Sequence, residues 1–177
     1  SAEKYLLSKK NYSNKNIYIL RPSMIHGPGN KGNLNLLYKF IKKGIPYPLA
    51  AFDSKRSFLS IENFCFVIKE LLIQKNVNSG IYHICDDEPI SINTIIKIMS
   101  DNLNKPILMV KVPKYILKFI ALLGDKLPFF LNTRRLNKMT ENFLVNNDKV
   151  VKAIGKPLPV SAIQGLKIAI DSLAHVN

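Results

Sequence analysis

Between Arg21 and Leu34 the chain reads Arg-Pro-Ser-Met-Ile-His-Gly-Pro-Gly-Asn-Lys-Gly-Asn-Leu, with three glycines and two prolines. Ahead of it, Asn16–Leu20 is short, apolar and β-prone, which predicts a buried strand. Behind it, Leu34–Lys43 has apolar residues at helical spacing and stops at Gly44, which predicts a helix. The stretch between them is read as a loop. A strand that feeds a glycine-rich loop at its carboxyl end is where open α/β sheets bind ligands. A plain strand-to-helix turn has the same composition, and the loop alone leaves both readings open.

The rest of the chain supplies more elements of both kinds. Ala2–Lys10 is helix-forming with no capping device ahead of it, as though the chain opens in mid-helix. Pro46 and Pro48 force an extended segment before Ala50. Arg56–Ile61 roughly alternates and predicts a strand. Ser60 is placed to cap a helix over Ile61–Gln74, apolar on most sides and expected to be buried. Gly80–Cys85 predicts a strand, Asp86–Pro89 an acidic turn, and Ser91 caps a helix over Ile92–Leu103. Ile107–Val112 predicts another strand, and Tyr115–Leu123 a helix apolar on nearly every side. Asn132–Glu141 is polar and basic, and Phe143–Val145 is read as a last short strand. Asp148–Ile154 predicts a helix closed by Gly155, and Ser161 caps a final helix over Ala162–Ala174. Strands and helices alternate, so the class is α/β. No run of parallel βαβ units precedes the first strand, so the chain looks like the back half of a doubly wound fold.

Composition narrows the function. With 177 residues and 47% hydrophobic content the chain can bury a core. No apolar run reaches the ~20 residues of a membrane span and no leader pattern opens the chain, so a cytoplasmic protein is expected. Cys65 and Cys85 both lie in apolar runs and are expected to be buried free thiols. The net charge of +14 comes from 26 basic and 12 acidic residues, mostly scattered lysines. There is no arginine-rich patch or nucleic-acid motif, and nucleic-acid binding is not expected. Metal-ligand spacing is also lacking. The acids Asp86, Asp87 and Glu88 are read as a solvated turn near a helix end rather than a metal site.

Several residues are candidates for chemistry. Arg56, one of only four arginines, opens a strand. It suits a bidentate grip on a diphosphate, or a salt bridge to Asp53 or Glu62. Arg134 and Arg135 form a basic pair that suits either anion binding or simple solvation. Asn33 and Leu34 open a helix, where Asn33 is either a cap or a neighbour of an anion at the helix start. The extended Pro48, Leu49 and Ala50 can lie along a flat ring or pair with an edge strand. His26 is read as a packed loop histidine or a ligand contact. The helix after Pro113, with its lysines, fits a core, an interface or a membrane surface.

In order, Ala2-Glu3, Ile19–Gly29, Gly32-Asn33-Leu34, Arg56–Asn63, Gly80–Asp87 and the terminal Pro-x-Pro with its helix resemble the C-terminal portion of an extended short-chain dehydrogenase/reductase. The nearest branch is the NAD-dependent nucleotide-sugar epimerase/dehydratase family, which includes UDP-glucose 4-epimerases. The resemblance implies a Rossmann-like fold with a small substrate-binding domain, its N-terminal glycine-motif half lying outside the chain. It implies one C-terminal region over 1–177, with 1–44 as the remaining Rossmann helix, strand and loop and 45–177 as the substrate-binding part. Substrate roles fall on Asn33, Leu34, Pro48, Leu49, Ala50, Arg56 and Arg135. Pro22, Ser23, Met24 and Ile25 fall beside the nicotinamide of NAD.

The family's chemistry is hydride removal at the sugar by NAD, with a Tyr-x-x-x-Lys pair as base. Tyr5 and Lys9 have that spacing but follow Ala2-Glu3, whereas the family's pair precedes the corresponding dipeptide, so no catalytic residue is assigned. The resemblance therefore implies a UDP-sugar partner, NAD in the full-length parent and a possible homodimer there. This chain alone is expected to be inactive and to bind no NAD. Met24 stands where many epimerases carry Asn, which leaves a UDP-4-keto-hexosamine reductase or a dehydratase as alternatives. A basic anion- or membrane-surface-binding module without catalysis is a reading of another class.

Overall fold

The computed structural model describes residues 2–8, 16–126 and 131–176. In chain order the elements are α1 (Ala2–Ser8), β1 (Tyr18–Pro22), β2 (Met24–His26), α2 (Asn33–Lys42), β3 (Lys55–Arg56), β4 (Phe58–Ser60) and α3 (Ile61–Ile73). There follow β5 (Gly80–Ile84), β6 (Ile90–Ser91), α4 (Ile92–Asn102), α5 (Lys114–Lys126), α6 (Thr133–Thr140), α7 (Asp148–Ile154) and α8 (Ala162–Val176). Contacts divide the chain into two compact units. The first comprises Ser1–Gly27, Ser57–Pro89 and Val145–Leu166; the second comprises Pro28–Arg56, Ile90–Leu144 and Lys167–Asn177.

The first unit is built on parallel strand pairs. β1 runs beside β5 from Tyr18↔Gly80 to Pro22↔Ile84, and β2 beside β4 from Met24↔Phe58 to His26↔Ser60. The Ser23 N–H donates to the Ile84 carbonyl at 2.9 Å and the Asp86 N–H to the Phe58 carbonyl at 2.7 Å. So the stretch read as an unbroken loop contains a strand. Its three residues are too few, and too close to Pro22 and Pro28, to show a period of their own. Parallel pairing needs long crossovers, and α3 lies within the one from β1 to β5.

Ser60 caps α3 as expected, its hydroxyl accepting from the Asn63 N–H at 3.2 Å. The helix buries Asn63, Val67, Glu70 and Leu71 on one face only. Leu72 and Ile73 are 78% and 62% exposed, and Cys65 is exposed too, contrary to the sequence reading. The core of this unit gathers Leu59, Val67, Leu71, Tyr82, Ile84, Val150 and Ile154. α7 closes at Gly155, whose φ of +64° suits glycine. The Ser161 hydroxyl accepts from the Gln164 N–H and the Asp87 carboxylate from the Ala162 N–H, together capping α8. Gly165 lets α8 approach closely, since a Cβ there would lie 2.7 Å from Ser60 Cβ.

In the second unit α2 packs on α4, and the Tyr38 hydroxyl donates to Asn102 Oδ1 at 3.0 Å. α2 ends before Gly44 at φ +70°. Its N-cap is Gly32, not Asn33, which is the first helical residue. Ser91 caps α4 through the Thr94 N–H. β3 pairs antiparallel with β6. Ile107–Val112 forms only the isolated bridges Tyr47↔Met109 and Leu49↔Lys111, because Pro46 and Pro48 have no N–H to extend a ladder. The polar segment 132–141 contains the helix α6, capped by Asn132 through the Arg135 N–H at 2.9 Å. Phe143 makes a single bridge to Arg56 rather than starting a strand. Among the described residues no helix is long and apolar enough to cross a membrane.

Candidate functional site

All seven residues expected at a nucleotide-sugar belong to the second unit, and the four expected beside a nicotinamide belong to the first. Of the second-unit set, Arg56 lies on β3 and is tied to α6. The Arg56 guanidinium donates through Nη2 to the Lys138 carbonyl near the end of α6. Around it the Lys55 N–H donates to Asn142 Oδ1 at 2.8 Å, and the Phe143 N–H donates to the Lys55 carbonyl at 3.0 Å. The helix that carries Arg135 is thereby tied to the strand that carries Arg56. Neither Asp53 nor Glu62 pairs with Arg56, and no ion pair to it occurs among the described residues. Its Nε is buried with no hydrogen-bond partner. An arginine held by a neutral carbonyl keeps its positive charge unneutralised.

The segment before β3 is connected to the same charge. Burial pushes the Tyr47 phenol up to about 12, and the positive Arg56 acts on it in the opposite direction. Leu49 and Ala50 are buried and Pro48 is exposed between Tyr47 and Leu49. The Ala50 carbonyl accepts from Asn93 Nδ2 at 3.2 Å. A cavity of about 680 Å³ opens beside it, lined among others by Asp53, Asn93, Lys97, Met109 and Lys111. That volume suits a small organic ligand, but of the seven expected residues only Ala50 lines it. At the start of α2, Asn33 is exposed and Leu34 is buried. Arg135 is exposed on α6.

Two polar atoms of this unit escape sequence reasoning. Asn35 Oδ1 and Asn93 Oδ1 are buried with no hydrogen-bond partner. Nothing in the local sequence marks them, because lone asparagines on helices read as surface residues.

In the first unit, Pro22 ends β1 and Ser23, Met24 and Ile25 lead into and along β2. Ser23 and Met24 are half-buried, and Ile25 is 41% exposed. Ser23 Oγ is buried with no partner, a polar atom free to meet a ligand group.

His26 and Asp86 are both buried in the first unit. His26 is 2% exposed, edge-on to the Phe58 ring, with Nε2 at 3.5 Å from Asp86 Oδ2. Asp86 is buried rather than solvated, and accepts from the Ser60 N–H and from Asn63 Nδ2 at 2.7 Å. Burial and the Asp86 charge push the Cys85 thiol up to about 11. Tyr5 is 64% exposed on α1, and Lys9 lies outside the described residues. No group of three or more metal-ligating side chains occurs among the described residues.

The α/β fold is similar to that of part of the solved nucleotide-sugar epimerases and dehydratases. The particular likenesses are as follows. The chain is 24% identical over 177 residues to the UDP-glucose 4-epimerase of Vibrio cholerae, a match covering 99% of this chain and 52% of that protein, in its C-terminal part. The crystal structure of UDP-N-acetylglucosamine 4-epimerase from Bacillus cereus superposes with a TM-score of 0.67 at 15% identity, over 98% of this chain and 52% of that one. The Bordetella bronchiseptica enzyme WbmG, solved with NAD and UDP, superposes with a TM-score of 0.63 at 16% identity, over 93% of this chain and 46% of that one. The chain thus spans about half the length of the relatives it matches. No family model matches it.

Proposed function

We propose that this chain is the nucleotide-sugar-binding C-terminal portion of an NAD-dependent UDP-sugar 4-epimerase. The observation that carries the reading is Arg56, fixed by the Lys138 carbonyl, unpaired by any described carboxylate and left with a buried free Nε. Its guanidinium holds the diphosphate. Arg135 adds a second positive charge from the helix tied to the same strand, and the start of α2 at Asn33-Leu34 offers free N–H groups. The extended Pro48-Leu49-Ala50 lies along the uracil ring. A diphosphate sugar and this arrangement are complementary in charge, and the V. cholerae and B. cereus relatives act on UDP-sugars by name.

The residues toward the cofactor fit one wall of a nicotinamide pocket and no more. Ser23 supplies an unpartnered hydroxyl and Ile25 an exposed apolar side chain. In such enzymes NAD supplies hydride acceptance from the sugar. This chain's own part is to bind and orient the substrate, so it is expected to show no turnover alone. Met24, in place of the Asn of many epimerases, favours a 4-keto-sugar reductase or a dehydratase as the second reading.

Calorimetric titration with UDP tests the assignment. Arg56→Ala should weaken UDP binding by about 1.5–3 kcal/mol, the range for hydrogen bonds to charged groups, which is roughly ten- to 150-fold. Equal affinity of the variant and the parent chain would overturn the role of Arg56.

A further inference from the structure

α5 carries two apolar stripes where a helix on a core needs one. Leu117, Ala121 and Gly124 form the buried stripe. Tyr115, Phe119 and Leu122 repeat the same spacing two residues earlier, which puts them about 200° around the helix. They are 72%, 62% and 58% exposed. Leu123, Ile116 and Ile120 widen the outward face at 47%, 38% and 37% exposed. Beside Leu122 an apolar recess of about 190 Å³ runs between α5 and α6, lined by Ala121 and Leu136 with Lys118 at its margin.

The surroundings of this face are basic. Lys118 and Lys126 are exposed on α5, and Arg134 and Lys138 on α6. Lys114 lies over the Phe52 ring at 5.3 Å. Asp125, the one acid of α5, accepts from the Thr133 N–H and hydroxyl and so is turned toward α6. A second copy of a chain with net charge +14 would bring like charges together around the apolar patch. The complementary surface is apolar in its depth and negative at its rim, which describes a leaflet containing anionic lipid. With 13 residues the helix is too short to span a bilayer and long enough to lie along one.

We propose that α5 docks this chain onto an anionic lipid bilayer, with Tyr115, Phe119 and Leu122 below the headgroups and Lys118 and Lys126 among them. This holds whether or not the chain binds a nucleotide-sugar.

Flotation of the 177-residue chain with vesicles tests it, using phosphatidylcholine alone and phosphatidylcholine with about 30% phosphatidylglycerol. Binding is expected to the anionic vesicles and to fall as salt rises to about 0.5 M. Lys118→Ala and Lys126→Ala should each weaken it about fivefold at low salt. Phe119→Ser with Leu122→Ser should weaken it tenfold or more. Leu72→Ser, at an equally exposed apolar site on α3, should leave it unchanged. Circular dichroism confirms that each variant is folded. Absence of flotation, or flotation indifferent to the Phe119 and Leu122 changes, overturns the proposal. So does self-association abolished by those changes without lipid binding, which would assign the face to a second copy.

Discussion

Removing the Asn63 side chain should unseat the acidic turn of the first unit. Asn63 is fully buried. Its Nδ2 donates to Asp86 Oδ1 at 2.7 Å and to the Val160 carbonyl at 2.8 Å, and its Oδ1 accepts from the Val160 N–H at 3.1 Å. In Asn63→Ala the carboxylate loses a bond worth about 1.5–3 kcal/mol, and two backbone groups lose neutral bonds worth about 0.5–1.5 kcal/mol each. Val160 is half-buried, so water replaces part of its share, and a net loss of about 3–4 kcal/mol is expected. With a urea m-value near the middle of the usual range, about 2 kcal/mol/M, the midpoint followed by far-ultraviolet circular dichroism should fall by roughly 1.5–2 M. Asn63→Asp sharpens the test. It keeps the shape but sets a second carboxylate against Asp86, and two such groups in contact must share a proton. Asn63→Asp should therefore be the weaker protein at pH 7 and should recover relative to Asn63→Ala as pH falls toward 5, where the pair takes up that proton. A midpoint for Asn63→Ala within about 0.25 M of the parent, or no relative recovery of Asn63→Asp on acidification, would refute the reasoning.

Other expectations test the packing and the thiols. Gly165→Ala gains about 1 kcal/mol of helix propensity, but its Cβ would sit 2.7 Å from Ser60 Cβ at a capped helix start, and such overpacking costs about 1–3 kcal/mol. A lower melting temperature is expected, and a rise would contradict the close approach of α8. Cys65 is exposed, whereas the buried Cys85 thiol is pushed up to about 11. A disulfide reagent at pH 8 should therefore titrate one thiol in the native chain and two after unfolding, because only the thiolate reacts. Two fast thiols in the native chain would show Cys85 to be accessible.

Much of the fold was legible because it is written in local chemistry. Ser60, Ser91 and Ser161 precede apolar helical spacing, and each caps the helix it predicts. Gly44 and Gly155 adopt the left-handed conformation that ends α2 and α7. The misreadings share a cause, which is that neighbours distant in sequence decide them. β2 is a strand only because Phe58–Ser60 runs beside it. The Tyr47 and Leu49 bridges fail to grow because proline flanks them. α6 carries a single buried side chain, Leu136, so its apolar stripe is too thin to see. Cys65 lies in an apolar run whose outward residues α3 leaves exposed. The candidate substrate residues came from a resemblance in order and spacing. The link between Arg56 and the helix of Arg135 follows from the ties of β3 to 138–143, which no local pattern announces.

The bond from Arg56 to the Lys138 carbonyl has a consequence for how a ligand would be met. An arginine that is free in solution surrenders up to about 2 kcal/mol of rotamer entropy when it closes on an anion. Here that freedom is already restricted in the folded chain, by an acceptor that carries no opposing charge. The side chain is therefore preorganised without being neutralised. Its aim depends on the last turn of α6, and so on the Asn132 cap at the other end of the same short helix. Residues remote in sequence from Arg56 thus set the pose of its charge, and fraying of α6 would loosen the guanidinium before it unfolded the unit.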